Sequence, residues 1–278
     1  MTVLEVLQST TAYFQKREIE SPRLNAEHLL AHVLACKRMA LYLEFERVLL
    51  ETELAPLREL VRRRGQGEPL QHLLGTIEFC GRTFLCDNRA LVPRAETEEL
   101  AEQVLSSGLA NDAEVLDVGT GSGVIALSLA AQLPHARVTA VDVSVEALNL
   151  ARENAARLGL AERAHFFESD LLDRVEGSFD LIVANLPYVS NAERRALSRE
   201  VLADPALALF GGERGDEIIR RLIQEAPEHL KPGGLLALEI GVGQAGALAA
   251  FLAEKKFHDI AAIQDYARVT RFLFARYG

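Results

Sequence analysis

No stretch of the 278 residues approaches the roughly 18 consecutive apolar residues that a membrane span needs, so no membrane association is expected. Met1 to Gln15 lacks a basic stretch followed by an apolar one, which excludes a secretory signal; Glu5, Gln8, Ser9 and Thr10 instead suit the start of a folded helix. Cysteine is scarce. Cys36, Cys80 and Cys86 are odd in number and include no C-x-x-C pair, which excludes a disulfide framework and a zinc ribbon and points to a reducing, cytoplasmic compartment. Cys80 and Cys86 could face each other across a hairpin, but a reducing cytosol disfavours a disulfide between them. There is no internal repeat and no low-complexity segment.

Positive charge is also in short supply. Lys and Arg number 30 against 40 Asp and Glu, a net −10. Residues 1–75 carry ten of each sign, so the whole deficit lies beyond residue 75. Such a surface repels phosphate backbones, and no direct nucleic-acid binding is expected. The one basic run, Arg62-Arg63-Arg64, reads as the solvated end of a helix, where cations complement the helix dipole. Arg194, Arg195 and Arg199 read as a solvated helix face or as a contact for an acidic partner. No metal centre is expected. His28 and His32 stand four apart on one helix, but Leu29 occupies the general-base position and no third ligand is evident.

What is present is ordinary for a globular chain of about two domains: 49% hydrophobic and 25% charged residues, enough to bury a core without staples. Residues 1–75 read as a small helical bundle. Leu4, Leu7, Thr11 and Phe14 mark one stripe. Ser21-Pro22 starts a second helix, with a side-chain cap and Pro at the first helical position, and Leu30, Val33 and Leu34 give its buried face. A third helix is expected over Met39–Phe45 and a fourth over Thr52–Arg64, ended by Gly65 and Gly67. At Thr76 the period changes: Ile77-Glu78-Phe79 and Thr83-Phe84-Leu85 alternate around Gly81-Arg82, a β-hairpin linker placed at 76–92. From 93 to 278, after a helix at Glu96–Ser106, short apolar strands alternate with helices. The strands are Glu114–Val118, Val138–Asp142, His165–Phe167, Asp180–Ala184 and Leu235–Ile240; the helices fall near 122–132, 145–158, 216–230 and 244–255. The pattern predicts an α/β fold: a mostly parallel, Rossmann-like sheet with helices on both faces. Ile260–Gln264 and Thr270–Ala275 follow without a helix between them and should form an antiparallel pair at one edge.

The first of these strands runs through Asp117 into Gly119-Thr120-Gly121-Ser122-Gly123. Glycines here let a strand turn sharply into a helix while a ligand approaches the backbone. Asp142 ends the next strand, 23 positions after Gly119, where a carboxylate can accept from both hydroxyls of a ribose. Two cofactors suit that geometry. A dinucleotide wants a glycine at the sixth loop position and no carboxylate near its pyrophosphate, but Val124 and Asp117 stand there. S-adenosylmethionine brings an ammonium and a sulfonium, which Asp117, Asp142 and Asp170 attract. The residues favour it over a nicotinamide. Asp170 is placed to accept from the adenine amine, with Leu171 against the ring, although Asp170 also suits a turn cap.

Asn185-Leu186-Pro187-Tyr188 ends the fourth strand. The Asn185 side-chain oxygen and the Leu186 carbonyl are two acceptors able to grip both hydrogens of a planar NH₂, Pro187 biases Leu186 toward an extended conformation, and Tyr188 supplies an aromatic wall. Such a grip suits methylation of an amide or aryl amine, whose delocalised lone pair makes it a poor nucleophile.

These residues resemble the HemK/PrmC family, the peptide chain release factor glutamine methyltransferases. The likeness runs nearly the whole length. It takes in Ser21–Glu27, Gly67–His72 with Gly75, Phe79-Cys80-Gly81 with Phe84, Val92–Glu98, Gly119–Gly123, Asn185–Tyr188, Pro232-Gly233-Gly234 and Leu238–Gly241. It implies a class I methyltransferase fold behind an N-terminal protein-binding domain. It also implies methyl transfer from S-adenosylmethionine to the side-chain nitrogen of the glutamine in the Gly-Gly-Gln loop of release factors, with S-adenosylhomocysteine as product and the enzyme a monomer. Leu186 stands where the family has Pro, Ala95 replaces another Pro, Arg214 replaces an acidic residue and Ile219 a Tyr. A nucleic-acid amino methyltransferase uses a similar grip and is the alternative, disfavoured by the acidic catalytic half. A nicotinamide oxidoreductase and a non-enzymatic adaptor that binds S-adenosylmethionine are the remaining readings.

Overall fold

The computed structural model describes residues 1–278, which form two compact units: Met1–Thr76 with Ser198–Ala203, and Ile77–Leu197 with Asp204–Gly278. No helix is long and apolar enough to cross a membrane.

The first unit is helical: α1 (Val3–Gln15), α2 (Pro22–Val33), a 3₁₀ helix (Arg38–Leu43), α3 (Glu51–Arg64) and α4 (Leu70–Leu74). α1 opens on a capping box, with the Thr2 hydroxyl accepting from the Glu5 amide and the Glu5 carboxylate accepting from the Thr2 amide. Its buried stripe is Val3, Val6, Leu7, Thr10 and Phe14. The expected stripe is thus rotated: Leu4 and Thr11 are only half-buried, and the Thr11 hydroxyl donates back to the Leu7 carbonyl. Pro22 starts α2 as expected, but Ser21 is no side-chain cap. Its backbone is left-handed and its hydroxyl makes no capping bond; the Asn25 amide instead donates to the Glu20 and Ser21 carbonyls. The buried face of α2 is Asn25, Ala26, Glu27, Leu29, Leu30 and Ala31, with Val33 and Leu34 half-buried. The third helix is a 3₁₀ turn with only Leu41 buried. The basic run also departs from expectation. Arg62 and Arg63 pair with Glu59 and Glu68 on the surface, but Arg64 is 2% exposed. It donates to the Asn25 side chain, the Glu68 carbonyl and Glu200, because a guanidinium has enough donors to satisfy all three at once.

The second unit contains the hairpin β1 (Thr76–Phe79) and β2 (Arg82–Leu85), whose turn residues Cys80 and Gly81 both have positive φ, the geometry that matches strand twist. Then come α5 (Ala95–Ser106), β3 (Glu114–Val118), α6 (Val124–Gln132), β4 (Arg137–Asp142), α7 (Val145–Arg157), β5 (Ala164–Glu168), β6 (Phe179–Asn185), β7 (Val189–Ser190), α8 (Ala206–Leu209), β8 (Phe210–Gly212), α9 (Glu217–Glu225), β9 (Leu230–Glu239), α10 (Ala245–Glu254), β10 (Phe257–Gln264) and β11 (Thr270–Tyr277). The seven-stranded sheet has the order β10-β11-β9-β6-β3-β4-β5. β5, β4, β3, β6 and β9 run parallel, while β11 pairs antiparallel with β9 and with the edge strand β10, as expected. Strand alternation fills two cores. Val115, Leu181, Val183 and Ala237 face one layer of helices, and Leu116, Ile182, Ala184 and Leu236 face the other. Each buried Leu, Ile or Val on either face contributes about 1.5–3 kcal/mol, enough to set the register of the central strands. The strand order reverses between β3 and β6, which opens a crevice at their carboxyl ends.

Candidate active site

That crevice holds a cavity of about 350 Å³. One end is the loop after β3. The Gly119 and Thr120 amides donate to the Val141 carbonyl at 2.8 and 3.0 Å, which hooks the loop over β4. Two carboxylates then fasten it. Asp142 accepts from the Gly121 amide with Oδ2 and from the Ser144 amide with Oδ1, both at 2.8 Å. Asp117 accepts from the Thr120 hydroxyl at 2.6 Å and the Ala126 amide at 3.1 Å, both on Oδ2. Gly119 needs to be glycine: its φ is +72°, and a Cβ there would lie 2.8 Å from Leu186 Cδ2. Asn154 braces the far side of the loop, donating to the Ser122 carbonyl at 3.0 Å while its Oδ1 accepts from the Leu85 amide at 2.6 Å.

Gly119, Thr120, Gly121, Ser122, Asp142, Asp170 and Leu171 all line the cavity. Asp117 and Gly123 do not. Asp117 is wholly buried beneath the loop, and burial pushes its carboxyl up to about 7. Its Oδ1 is buried with no partner. Gly123 is packed against α7, where a Cβ would stand 3.1 Å from Ala151 Cβ. Burial also raises Asp142, against the pull of its amide donors. Asp170 carries an ion pair to Arg221 at 3.2 Å. The two arginines on the wall are each held by two acidic partners, Arg221 by Asp170 and Glu225 and Arg89 by Asp87 and Glu153. Neither offers an unpaired cation to a pyrophosphate. The glycine loop, the carboxylates at the wall and the orphaned Asp117 oxygen fit a cationic ligand with a ribose.

The other end is built from side chains. Asn185, Leu186 and Pro187 line the cavity. The Asn185 amide nitrogen donates to Thr97 Oγ1 at 2.8 Å, and the Thr97 hydroxyl donates to Glu239 Oε2 at 2.7 Å. The parallel register that pairs Asn185 with Glu239 on β6 and β9 brings these groups together, with Thr97 reaching in from the first turn of α5. Tyr188 lies outside the cavity wall. Its hydroxyl donates to Glu239 Oε1 at 3.3 Å, and its carbonyl accepts from the Gln244 amide. Burial and the Glu239 charge push the Tyr188 hydroxyl well above its usual range. The Leu186 side chain is buried against Gly119, so it packs the two ends of the cavity together. Arg94 pairs with the buried Asp204 at 2.6 Å, and Asp204 also accepts from the Val92 amide, which pins the approach to α5. Thr97 and Glu239 carry no site role in the sequence reading; their only sequence signal is membership of the Val92–Glu98 and Leu238–Gly241 segments.

Comparison with known proteins is consistent across the chain. The PrmC N-terminal domain family matches residues 5–75 and the methyltransferase small domain family matches residues 96–213. The chain is 43% identical to the release factor glutamine methyltransferase of Chlorobaculum tepidum, over 98% of this chain and 96% of that protein. It is 41% identical to that of Geobacter sulfurreducens, over 100% and 97%. Among solved structures, the ribosomal protein L11 methylase of Lactobacillus delbrueckii subsp. bulgaricus superposes with a TM-score of 0.52 at 27% identity, covering 66% of this chain and 81% of that one. A methyltransferase from Pyrococcus furiosus gives 0.55 at 23% identity, over 70% and 88%, and shares the fold. The cofactor of this chain is therefore S-adenosylmethionine, and the chain belongs to the release factor glutamine methyltransferase family.

Proposed function

We propose that this chain methylates the side-chain amide nitrogen of a glutamine in peptide chain release factors, and that the acceptor is the glutamine of their Gly-Gly-Gln loop. The observation that carries this reading is the orientation of Asn185. One Nδ2–H is held by Thr97, which turns Oδ1 to the side away from Thr97 as the acceptor for an incoming NH₂. S-adenosylmethionine, when bound, supplies an electrophilic methyl group on a cationic sulfur. Asp142 accepts from the ribose hydroxyls with the lone pairs that its two amide donors leave over. Asp170 and Leu171 hold the adenine. Asp117 acts from beneath the Gly119–Ser122 loop, where its carboxylate favours positive charge in the cavity. Asn185 Oδ1 and the Leu186 carbonyl accept the two N–H bonds of the glutamine amide, hold its nitrogen toward the methyl group and stabilise the positive charge that develops there. Tyr188 serves through Glu239.

The helical unit, which carries the PrmC N-terminal match, is read as the surface that holds the release factor. The acidic balance of residues 76–278 supports a protein acceptor over a nucleic acid. The enzyme is read as a monomer that acts in the cytoplasm, where a reducing environment suits its three free thiols. The test is incubation with labelled S-adenosylmethionine and a release factor, intact or with its Gly-Gly-Gln glutamine replaced. Label is expected only on the intact factor; label that survives the replacement means a different acceptor.

A further inference from the structure

We propose that Thr97 and Glu239 are positioning residues that set which way round the Asn185 carboxamide points, and thereby switch the acceptor grip between a working and a non-working state. The inference rests on Asn185 gripping the glutamine amide. A carboxamide has nearly the same shape in both flips, so packing alone does not choose between them. In the wrong flip Asn185 presents its own NH₂ to the NH₂ of the substrate, and two donors face each other.

The choice comes from a one-way chain of hydrogen bonds. Ionised Glu239 only accepts, so it takes the single Thr97 proton, at 2.7 Å. Thr97 Oγ1 then has only lone pairs left, so it accepts from Asn185 Nδ2, at 2.8 Å. The carboxamide oxygen is left pointing away from Thr97. The Tyr188 hydroxyl donates to the other Glu239 oxygen and keeps the carboxylate in place. Thr97 and Glu239 are 4% and 1% exposed, so water does not substitute for either. Protonated Glu239 reverses the chain: it can donate to Thr97 Oγ1, which frees the Thr97 proton for Asn185 Oδ1. The groups that face Glu239 are Tyr188, Glu96 and Arg271. Burial and Glu96 favour the neutral acid, Arg271 and the two hydroxyl donors favour the carboxylate, and the balance puts its titration at about 7.

The test compares Thr97→Val, Thr97→Ser, Glu239→Gln and Asn185→Ala in the full-length enzyme, with turnover, donor Kd and pH profile measured for each. Thr97→Val is expected to lower kcat roughly tenfold or more, with the donor Kd within about twofold of the parent. Thr97→Ser keeps the hydroxyl and is expected to recover turnover to within about threefold. In the parent enzyme kcat should rise with pH through about 7. Glu239→Gln, whose amide can present either a donor or an acceptor, should abolish that rise. The side-chain NH₂ of Asn185, followed by NMR in the folded parent, should be more strongly protected at pH 8 than at pH 6, protection being the exchange rate relative to that of a free carboxamide at the same pH. Unchanged kcat in Thr97→Val, or a pH limb that survives Glu239→Gln, overturns the inference. If Thr97→Val does not fold, the NH₂ protection in the parent decides, and a protection factor that does not change between pH 6 and pH 8 overturns the inference. Normal turnover in Asn185→Ala brings down the grip itself and the inference with it. Loss of turnover in Asn185→Ala with none in Thr97→Val brings down the inference alone.

Discussion

The two ends of the cavity are held by different parts of the chain. At the Gly119–Ser122 end the ties grip backbone and are several: loop amides reach the Val141 carbonyl, and the Asp142, Asp117 and Asn154 side chains each hold main-chain groups, with the Thr120 hydroxyl as the one side-chain partner. At the Asn185 end three side chains from α5, β6 and β9 hold one another. A backbone-held loop survives most single substitutions, provided that its positive-φ positions stay glycine. A chain of side chains fails at any member. The donor end should thus respond to mutation in graded steps of affinity and the acceptor end in all-or-none steps of turnover.

The hardest test of that contrast is Asn185→Ala. It deletes the oriented acceptor and is expected to cut kcat by about 10²–10³, the usual cost of removing one group that stabilises developing charge, while the donor Kd changes little. Equal losses in kcat and in donor affinity would mean that the two ends are not separable. Next in size is Asp142→Ala. It removes the ribose acceptor and two ties to the loop, and hydrogen bonds to a charged group are worth about 1.5–3 kcal/mol, so a donor Kd weakened roughly 10–100-fold is expected in calorimetry, with kcat at saturating donor near the parent value.

A smaller effect concerns stability. Asp117 and Glu239 titrate at about 7 in the folded protein, against about 4 for free carboxyls. Between those values the folded state binds more protons than the unfolded one, so stability is greatest below about pH 4 on this account and falls as pH rises through about 7. Asp117→Asn should remove about half of that fall, on the order of 2 kcal/mol, as read from urea unfolding at pH 5 and pH 7.5. An unchanged slope would mean that Asp117 stays ionised and already finds a partner in the absence of donor.

The same contrast explains what could be read from the sequence. The donor end is local: Gly119–Ser122, Asp142 and the strands that carry them are announced by short apolar runs that end in glycine or a carboxylate, and the fold follows from their alternation with helices. The acceptor end is legible only at Asn185–Pro187. Thr97 lies 88 residues from Asn185 and 142 from Glu239, and no periodicity connects them; only the pairing of β6 with β9 does. In the helical unit the helices are legible and their faces only in part: Leu7, Phe14 and Leu30 are buried as expected. Val3 and Val6 win the core over Leu4 and Thr11, because the neighbouring helices decide which stripe is covered. Arg64 is buried because Asn25 and Glu200 reach it from 39 and 136 residues away, beside the nearby Glu68 carbonyl, which a run of three arginines does not reveal.

The smallest effect is expected where a side chain at the donor end lies in solvent. Arg221 and Asp170 meet at 3.2 Å with 48% and 54% of their side chains exposed. Exposed pairs of this kind are worth about 0–1 kcal/mol. Arg221→Ala frees the Asp170 carboxylate from its cation. The wall becomes more negative toward a positively charged donor, and the adenine amine gains an unshared acceptor. Donor affinity should therefore tighten, by no more than about threefold, and salt at roughly 0.5 M should erase the gain by screening. kcat should not move, since nothing in the Asn185 chain touches Arg221. A tenfold weakening instead would mean that Arg221 itself contacts the donor, and the donor end would then share the side-chain dependence that sets the acceptor end apart.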